Sequence, residues 1–252
     1  MGAQEYFTSD PDNAFADWGT CQSPAVNGDC TNLDPGQHNM QIIKNGAPDG
    51  GAFARFVVQD GDTVDFGGER AEVRDDNAGA TVHEGDERWY EWSMRVNEDF
   101  PEEAGNWFIV MQWHSSSGSP PLAIDLSKGT VDIGGDGVDA PRKAIGPIQR
   151  GVWVHYVLHV GFSNSADKGF VEAWANGVKT VEMTKRQTMT SDENYLKQGI
   201  YRDESASGTA QVDFDGLRVT GPPGQGEVQP KLLNKVLDAV LPTEVGIAAA
   251  IG

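Results

Sequence analysis

Residues 195–202 read Tyr-Leu-Lys-Gln-Gly-Ile-Tyr-Arg and lie near the end of the β-rich part of the chain. Side chains of a β-strand alternate between two faces. Tyr195, Lys197 and Tyr201 therefore share one face, while Leu196 and Ile200 lie on the other. The apolar face suits a protein core, and the polar face brings phenols and an ammonium group close together. The stretch thus predicts a strand that carries half of a polar site, with partners supplied by other strands.

Segments with strand character recur from about residue 40, and turn-forming residues separate them. Along residues 88–96 the side chains of Trp89, Glu91, Ser93 and Arg95 alternate with those of Tyr90, Trp92, Met94 and Val96, and Asn176-Gly177 is a strong hairpin signal. No helical period occurs before residue 220, which favours an all-β fold, an antiparallel jelly-roll sandwich. The predicted strands span residues 41–44, 52–58, 70–75, 88–96, 107–114, 122–126, 130–133, 152–162, 170–175, 178–183, 195–202 and 210–219.

Composition divides the chain into three parts. Residues 1–35 are rich in Gly, Pro, Asn and Asp and are predicted to form an irregular N-terminal arm that carries a Cys loop. Residues 36–221 form the β-domain. In residues 222–252 a linker precedes leucines and valines at helical spacing, which predicts a short amphipathic C-terminal helix and an apolar tail. This helix either docks on its own domain or assembles a homo-oligomer or virion through residues 230–252.

The formal net charge of −19 argues against nucleic acid or an anionic membrane as a partner. The chain contains no apolar run of about 18 residues, so no transmembrane helix is predicted. The N-terminus has neither a basic region nor an apolar run of the kind found in signal peptides. The expected location is extracellular after removal of a leader, or alternatively a virion surface reached by cell lysis.

Cys21 and Cys30 are the two cysteines of the chain. They enclose a short loop rich in turn-forming residues, which predicts a local disulfide suited to an extracellular protein. Two reduced thiols are the alternative, because no metal-ligand spacing accompanies the pair.

No cofactor is predicted. His155 and His159 lack a third metal ligand at a recognisable spacing, which favours surface or groove-lining roles. Asp132, Asp136 and Asp139 in a Gly-rich loop leave calcium as an alternative, although their spacing is not that of an EF-hand.

Three predicted strands carry complementary polar faces: Arg70, Glu72 and Arg74 on one, Gln112 and His114 on the next, and the Tyr/Lys face of residues 195–202 on the third. On one sheet they supply what β-elimination from a uronic-acid polysaccharide requires. Cations or amides offset the uronate carboxylate, a base removes the C5 proton, and an acid protonates the departing O4. Hydrolysis requires instead a pair of carboxylates, and no Glu-x-Asp-x-x-Glu motif of sandwich glycosidases is present.

Gln112-Trp113-His114, followed about 80 residues later by residues 195–202, resembles the heparin lyase I-like polysaccharide lyases. Similar elements occur in alginate and glucuronan lyases. The strand at residues 70–74 and the segment Trp174-Ala175-Asn176-Gly177 fit the same pattern, so the resemblance covers roughly residues 40–220. It implies a concanavalin-like jelly roll and a carbon–oxygen lyase that cleaves a uronic-acid-containing glycan by β-elimination.

The resemblance implies that His114 and Tyr201 are the proton-transfer pair and that Gln112 and Arg74 neutralise the substrate carboxylate. His83 matches a site histidine of related proteins more loosely. Without the resemblance, Arg70, Glu72 and Arg74 fit a salt-bridge ladder equally well, and His114 fits a structural histidine. The predicted substrate-binding residues are Arg70, Arg74, His83, Gln112, Tyr195 and Lys197.

Two other functions remain open from the sequence. One is a phage virion protein of the tail or capsid surface, which would use the sandwich to bind glycans and the C-terminal helix to assemble. The other is a non-catalytic carbohydrate-binding module. In each case the partner is a polysaccharide, bound with or without cleavage.

Overall fold

The structure, a computed structural model, describes residues 4–32, 37–64, 67–75, 79–101 and 107–222. These residues form seventeen strands and two single-turn 3-10 helices at Pro11–Asn13 and Cys30–Asn32. The strands are β1 Glu5–Ser9, β2 Thr20–Gln22, β3 Asn27–Asp29, β4 Met40–Ile43, β5 Phe53–Val58, β6 Glu69–Arg74, β7 Val82–His83, β8 Glu87–Val96, β9 Phe108–His114, β10 Leu122–Ser127, β11 Thr130–Gly134, β12 Lys143–Pro147, β13 Trp153–Gly161, β14 Phe170–Ala175, β15 Val178–Lys185, β16 Glu193–Arg202 and β17 Ala210–Thr220.

Two antiparallel sheets form a sandwich, which confirms the predicted jelly roll. The eight-stranded sheet has the order β15-β14-β13-β8-β17-β5-β4, with β1 beside β17. The nine-stranded sheet has the order β12-β11-β10-β9-β16-β6-β2-β3, with β7 beside β16. In the nine-stranded sheet β16, the strand that contains residues 195–202, lies between β9 and β6, so the three predicted polar strands are neighbours.

The core lies between the sheets and follows the alternation seen in the sequence. Along β8, Tyr90, Trp92, Met94 and Val96 are buried while the residues between them are mostly half-buried. Burial of each large apolar side chain stabilises the fold by about 1.5–3 kcal/mol. The buried side chains of β8 therefore determine which of its faces is turned to the core. The Asn176-Gly177 hairpin has positive φ at both residues, as a two-residue turn of this type requires.

The first 35 residues, expected to be an irregular arm, contribute short strands to both sheets. β1 pairs with β17 of one sheet, and β2 pairs with β6 of the other. The strands are only three to five residues long. Such short strands among Gly, Pro and Asp residues show little periodicity, and pairing with longer neighbours gives them their structure.

The predicted disulfide is present between Cys21 and Cys30. Both half-cystines are buried, and together they close the β2–β3 hairpin against β6. Two three-residue strands form a marginal hairpin, so the covalent link is what holds it in place.

The expected C-terminal helix lies outside the described residues. Within the described ranges, no helix has the length and hydrophobicity needed to cross a membrane.

Replacing both cysteines, Cys21→Ser with Cys30→Ser, is expected to lower the free energy of unfolding by about 2–3 kcal/mol, because the loop is no longer closed in the unfolded chain. Urea denaturation of the variant and the wild type measures the difference. Wild-type protein treated with reductant serves as the control and should show a similar loss. An unchanged unfolding midpoint would show that the hairpin is held by packing alone.

Candidate functional site

A groove of about 560 Å³ crosses the outer face of the nine-stranded sheet. Its floor comes from β6, β9 and β16, where residues alternate between the core and the groove. Leu196 is buried in the core, while Lys197 faces the groove. The groove is lined by Gln22, Arg70, Arg74, Trp107, Ile109, Gln112, His114, Ser116, Gly118, Ser119, Pro120, Asp125, Gly135, Asp136, Arg142, Tyr195, Lys197 and Tyr201.

The alternation is interrupted once on β9. Val110 and Met111 are consecutive and both lie in the core, whereas Ile109 and Gln112 both line the groove. The register of β9 against β16 and β10 shifts at the same place. A bulge of this kind re-aims side chains beside it, and here it keeps both ends of β9 facing the groove.

Three residues from neighbouring strands form a transverse row in the middle of the groove. Lys197 is the register partner of both Gln112 on β9 and Arg74 on β6. An ammonium, an amide and a guanidinium therefore lie side by side. We refer to Gln112, Lys197 and Arg74 as the cation row.

Glu72, on the same strand as Arg74, links the cation row to Arg70. Its Oε2 lies 3.4 Å from Lys197 Nζ and 3.2 Å from Arg70 Nη1. Its Oε1 accepts a hydrogen bond from the Gln112 amide. Glu72 is 1% exposed and Lys197 is 4% exposed, so the cluster is buried beneath the groove. Glu72 thereby fixes the positions of three polar side chains at once.

Gly199 lets β16 lie close to the β6 backbone beside this cluster. It is the register partner of Glu72, and its φ is +140°. A Cβ at this position would come within 2.2 Å of the Ala71 carbonyl oxygen and 2.7 Å of Glu72 Cα. Glycine is therefore required here, because β16 and β6 approach too closely for any side chain.

His114 and Tyr195 meet beside the cation row. They are register partners, and Tyr195 Oη lies 3.2 Å from His114 Nδ1. The same Nδ1 contacts the Ser115 carbonyl oxygen. Since a carbonyl only accepts, Nδ1 carries the proton of the neutral ring, and Nε2 is left as its basic atom.

Burial lowers the pKa of His114, and the nearby cations Lys197 and Arg70 lower it further. The Ser115 contact and the Glu72 charge act in the opposite direction. The imidazole is thus held neutral near pH 7, as a general base requires. Burial likewise lowers the pKa of Lys197, while Glu72 opposes that shift.

Tyr201 lies on the other side of the cation row, four residues along β16 from Lys197, and lines the same groove. The Arg70 guanidinium stacks over its ring, with Cζ 3.9 Å from the ring centroid. Trp107 packs edge-on against it at 4.7 Å. Its phenol is therefore held between a cation and an indole. His114 and Tyr201 flank the cation row from opposite sides and do not pair directly.

One wall of the groove, formed by the β10 and β11 side, was not predicted. Arg142 bridges Asp125 and Asp136, with 3.0 Å between Arg142 Nη2 and Asp136 Oδ1. Burial raises the pKa of Asp125 to about 6 against the opposing effect of Arg142. Alternation along β10 places the Asp125 side chain on the face of the sheet opposite to that of Leu122. The sequence pattern could therefore have indicated that Asp125 faces the groove. Arg142 lies in an irregular connection that gives no such signal.

Gln22 on β2 is a second groove residue that was not predicted. It is 5% exposed, and its Oε1 is buried without a hydrogen-bond partner among the described residues. It lies inside the Cys loop, where the sequence gives no strand pattern. Its contribution to the groove becomes visible only from the pairing of β2 with β6.

Of the predicted substrate-binding residues, His83 is the one that the structure places away from the groove lining. It lies on β7, and its side chain is 62% exposed, with Asp86 and Glu193 each 3.8 Å away. The structure brings the other five, Arg70, Arg74, Gln112, Tyr195 and Lys197, together with His114 and Tyr201.

His155 and His159 lie on the eight-stranded sheet and do not line the groove. His155 Nε2 is 2.9 Å from Glu91, and His159 lies between Glu87 and Glu172. Within the described ranges, no group of three or more His, Cys, Asp or Glu residues is arranged to hold a metal ion.

The family described as Polysaccharide lyase matches residues 15–218, which includes every groove residue. No protein among those with curated functions matches the sequence.

Solved structures share the fold at low sequence identity. The endo-β-1,4-glucuronan lyase of Trichoderma reesei has a TM-score of 0.65 at 16% identity, over 87% of this chain and 96% of that one. The family 7 alginate lyase A1-II′, in complex with substrate, has a TM-score of 0.60 at 17% identity, over 87% and 99%. The catalytic domain of a glycoside hydrolase family 131 protein from Coprinopsis cinerea has a TM-score of 0.57 at 14% identity, over 89% and 98%. The fold therefore carries more than one chemistry, and side chains must decide between them.

Glu72→Gln is expected to lower the free energy of unfolding by about 3 kcal/mol, because Arg70 and Lys197 stay buried after their shared anion is removed. Urea denaturation measures the loss. Glu182→Gln is the matched control, since the Glu182 side chain is 86% exposed and should change stability by less than about 0.5 kcal/mol. Equal stability of the two variants would show that Glu72 does not hold the cluster.

Proposed function

The chain belongs to the polysaccharide lyase family, and we propose that it cleaves a uronic-acid-containing glycan by β-elimination. The observation that carries the proposal is the cation row between a neutral imidazole and a phenol. Despite the net charge of −19, Arg70, Arg74 and Lys197 all line one groove. A local concentration of cations in an acidic protein favours an anionic ligand at that place.

In the proposed complex the uronate carboxylate lies over the cation row. Arg74 and Lys197 supply positive charge, and the Gln112 amide supplies a second N–H besides the one that it donates to Glu72. These groups stabilise the negative charge that develops on the carboxylate when the C5 proton leaves. Because Glu72 holds Lys197 and Gln112 in place beforehand, little reorganisation accompanies the reaction.

His114 is the proposed base. Its Nε2 takes the C5 proton, since Nδ1 is occupied by its own proton and the Ser115 carbonyl. Tyr195 is a positioning residue, because its Oη contacts Nδ1 and its ring lies stacked beside the imidazole at 5.6 Å. The proton removed from C5 leaves an electron pair, which forms the C4–C5 double bond and expels O4.

Tyr201 is the proposed acid that protonates the departing O4. The Arg70 guanidinium lies over its ring and places a positive charge beside the phenol. C5–H and O4 belong to neighbouring carbons, so the proposal requires the side chains of His114 and Tyr201 to reach the same sugar unit from the two sides of the cation row.

Hydrolysis fits the groove less well. The carboxylates of the groove lining, Asp125 and Asp136, are both bound to the same Arg142. A glycosidase needs one carboxylic acid and one free carboxylate on either side of the bond to be cleaved.

Purified protein incubated with glucuronan, alginate, heparin and hyaluronan should form a product with the ultraviolet absorbance of a conjugated uronate double bond. A neutral glucan is the control substrate and should give none. Reducing ends released without that absorbance would indicate hydrolysis. Failure to cleave any uronan, by folded protein, would contradict the proposal and leave glycan binding as the alternative.

His114→Ala and Tyr201→Phe should each lower kcat/KM by about 10²–10⁴-fold, because each removes a group that transfers a proton. Tyr195→Phe should lower it only about tenfold, since the ring that supports His114 remains. His155→Ala, on the opposite sheet, is the matched control and should leave the rate unchanged. A larger loss for Tyr195→Phe than for Tyr201→Phe would assign the acid to Tyr195 instead.

The pH dependence of kcat/KM should show an acid limb below pH 6.5, the ordinary value for histidine. His114 must be neutral to accept the proton, and its folded-state pKa is lowered. Activity is therefore retained below pH 6.5 and lost as pH falls through the lowered pKa. Initial rates from about pH 4 to 8 measure the limb, and a limb above 6.5 would exclude His114 as the base.

A further inference from the structure

Arg142 places a cation in the groove at a distance from the cation row. Its side chain lines the groove and is 39% exposed. Asp125, which binds it, is the register partner of Ile109, and Ile109 is the register partner of Tyr201. The strand that carries Asp125 therefore lies two strand spacings, about 10 Å, from β16 and Lys197. A pyranose unit is roughly as long as one such spacing, so a chain bound across the strands would present a different sugar to Arg142.

A buried carboxylate holds the Arg142 guanidinium in place. Asp125 is 1% exposed, and its Oδ2 accepts a hydrogen bond from Arg142 Nη1. Gly134 on β11 leaves the space for this pair, because a Cβ there would collide with both Asp125 Oδ2 and Arg142 Nη1. The arrangement repeats the one in which Glu72 holds Lys197. A cation is thus fixed at the groove wall by an anion that lies behind it.

The second partner of Arg142 is bound differently. Arg142 Nη2 donates to Asp136 Oδ1 at 3.0 Å, and the Asp136 side chain is 73% exposed. An exposed ion pair of this kind contributes little to stability. The backbone beside it is tied to the neighbouring loop, since Gly137 N donates to the Pro120 carbonyl at 3.0 Å. Asp136 can therefore release Arg142 by rotation of its side chain alone.

We propose that Arg142 forms a second uronate subsite, at which a carboxylate of the bound chain replaces Asp136 on the guanidinium. Asp136 occupies this place in the free protein and competes with the chain for it. A guanidinium presents paired N–H donors that suit a carboxylate, and exchange of one carboxylate for another leaves its charge balance unchanged. The inference rests on the proposed function, and it specifies a substrate that carries uronates on at least two nearby units.

The test measures kcat and KM with the uronan that the wild type cleaves fastest. Arg142→Gln should raise KM about tenfold with kcat nearly unchanged, because the donor is lost and Asp125 and Asp136 are left facing an anionic chain. Asp136→Asn should lower KM about threefold, because the competing anion is removed. If Arg142 only holds the groove wall together, breaking its pair with Asp136 cannot improve binding. An unchanged or raised KM in Asp136→Asn would therefore overturn the proposal.

A matched pair of control variants lies on the other sheet. Arg218 Nε is 2.7 Å from Glu5 Oε2, and both side chains are 48% exposed. Arg218→Gln and Glu5→Gln should each leave KM unchanged. If Arg142→Gln does not fold, as judged by circular dichroism, Asp125→Asn combined with Arg142→Gln replaces it. The double variant buries no unpaired charge, and a raised KM is again expected.

The outcomes separate the subsite from the function on which it rests. Cleavage of uronan by the wild type, with KM unchanged in both Arg142→Gln and Asp136→Asn, would overturn the subsite and leave the lyase standing. If the wild type cleaves no uronan, calorimetric titration with glucuronan and alginate oligomers still tests the subsite. Weaker binding by Arg142→Gln together with tighter binding by Asp136→Asn supports it. Shifts of Kd in the same direction, or no binding by the wild type, overturn it.

Discussion

The buried carboxylate of Glu72 is the interaction on which the groove depends. Two cations, Arg70 and Lys197, lie almost fully out of water on the outer side of the sheet, and burial of unpaired charges would cost several kcal/mol each. Glu72 lies within 3.4 Å of both and also binds the Gln112 amide. The cluster retains a net positive charge and holds its donors in fixed positions. An acidic protein thereby holds a cluster of net positive charge at the groove.

Two departures from regular β-structure give the groove its shape. The bulge at Val110–Met111 lets Ile109 and Gln112 face the same way, and Gly199 lets β16 approach the β6 backbone closely. Both lie close to the cation row, which crosses β9, β16 and β6. If β9 alternated strictly, Ile109 and Gln112 would point to opposite faces of the sheet. A side chain at residue 199 would meet the β6 backbone. Irregularity in a sheet is often found beside functional sites, and here it has an identifiable steric purpose.

The fold and the middle of the site could be predicted from the sequence, because alternation of long strands specifies a face. Residues 195–202 and 112–114 lie on neighbouring strands, as expected, and Glu72 contacts Lys197 and Gln112. The edges could not be predicted. Gln22 and Arg142 reach the groove from short or irregular segments whose placement depends on distant pairing. His83 was assigned by similarity of position, yet β7 ends there and its side chain turns toward solvent. The bulge on β9 lies within an apolar run, and a break in alternation cannot be recognised from a sequence in which consecutive residues are all apolar.

The strands that meet in the groove are far apart along the chain. The contact between Gln112 and Glu72 spans 40 residues, and that between Lys197 and Glu72 spans 125. Contacts of such separation form slowly, since long loops must close before any interaction compensates for the lost entropy. β16 lies between β6 and β9, so the cation row is complete only when all three strands are paired. A partly folded chain can thus contain most of its β-structure and still have no cation row, so recovery of the groove reports completion of folding more strictly than recovery of secondary structure.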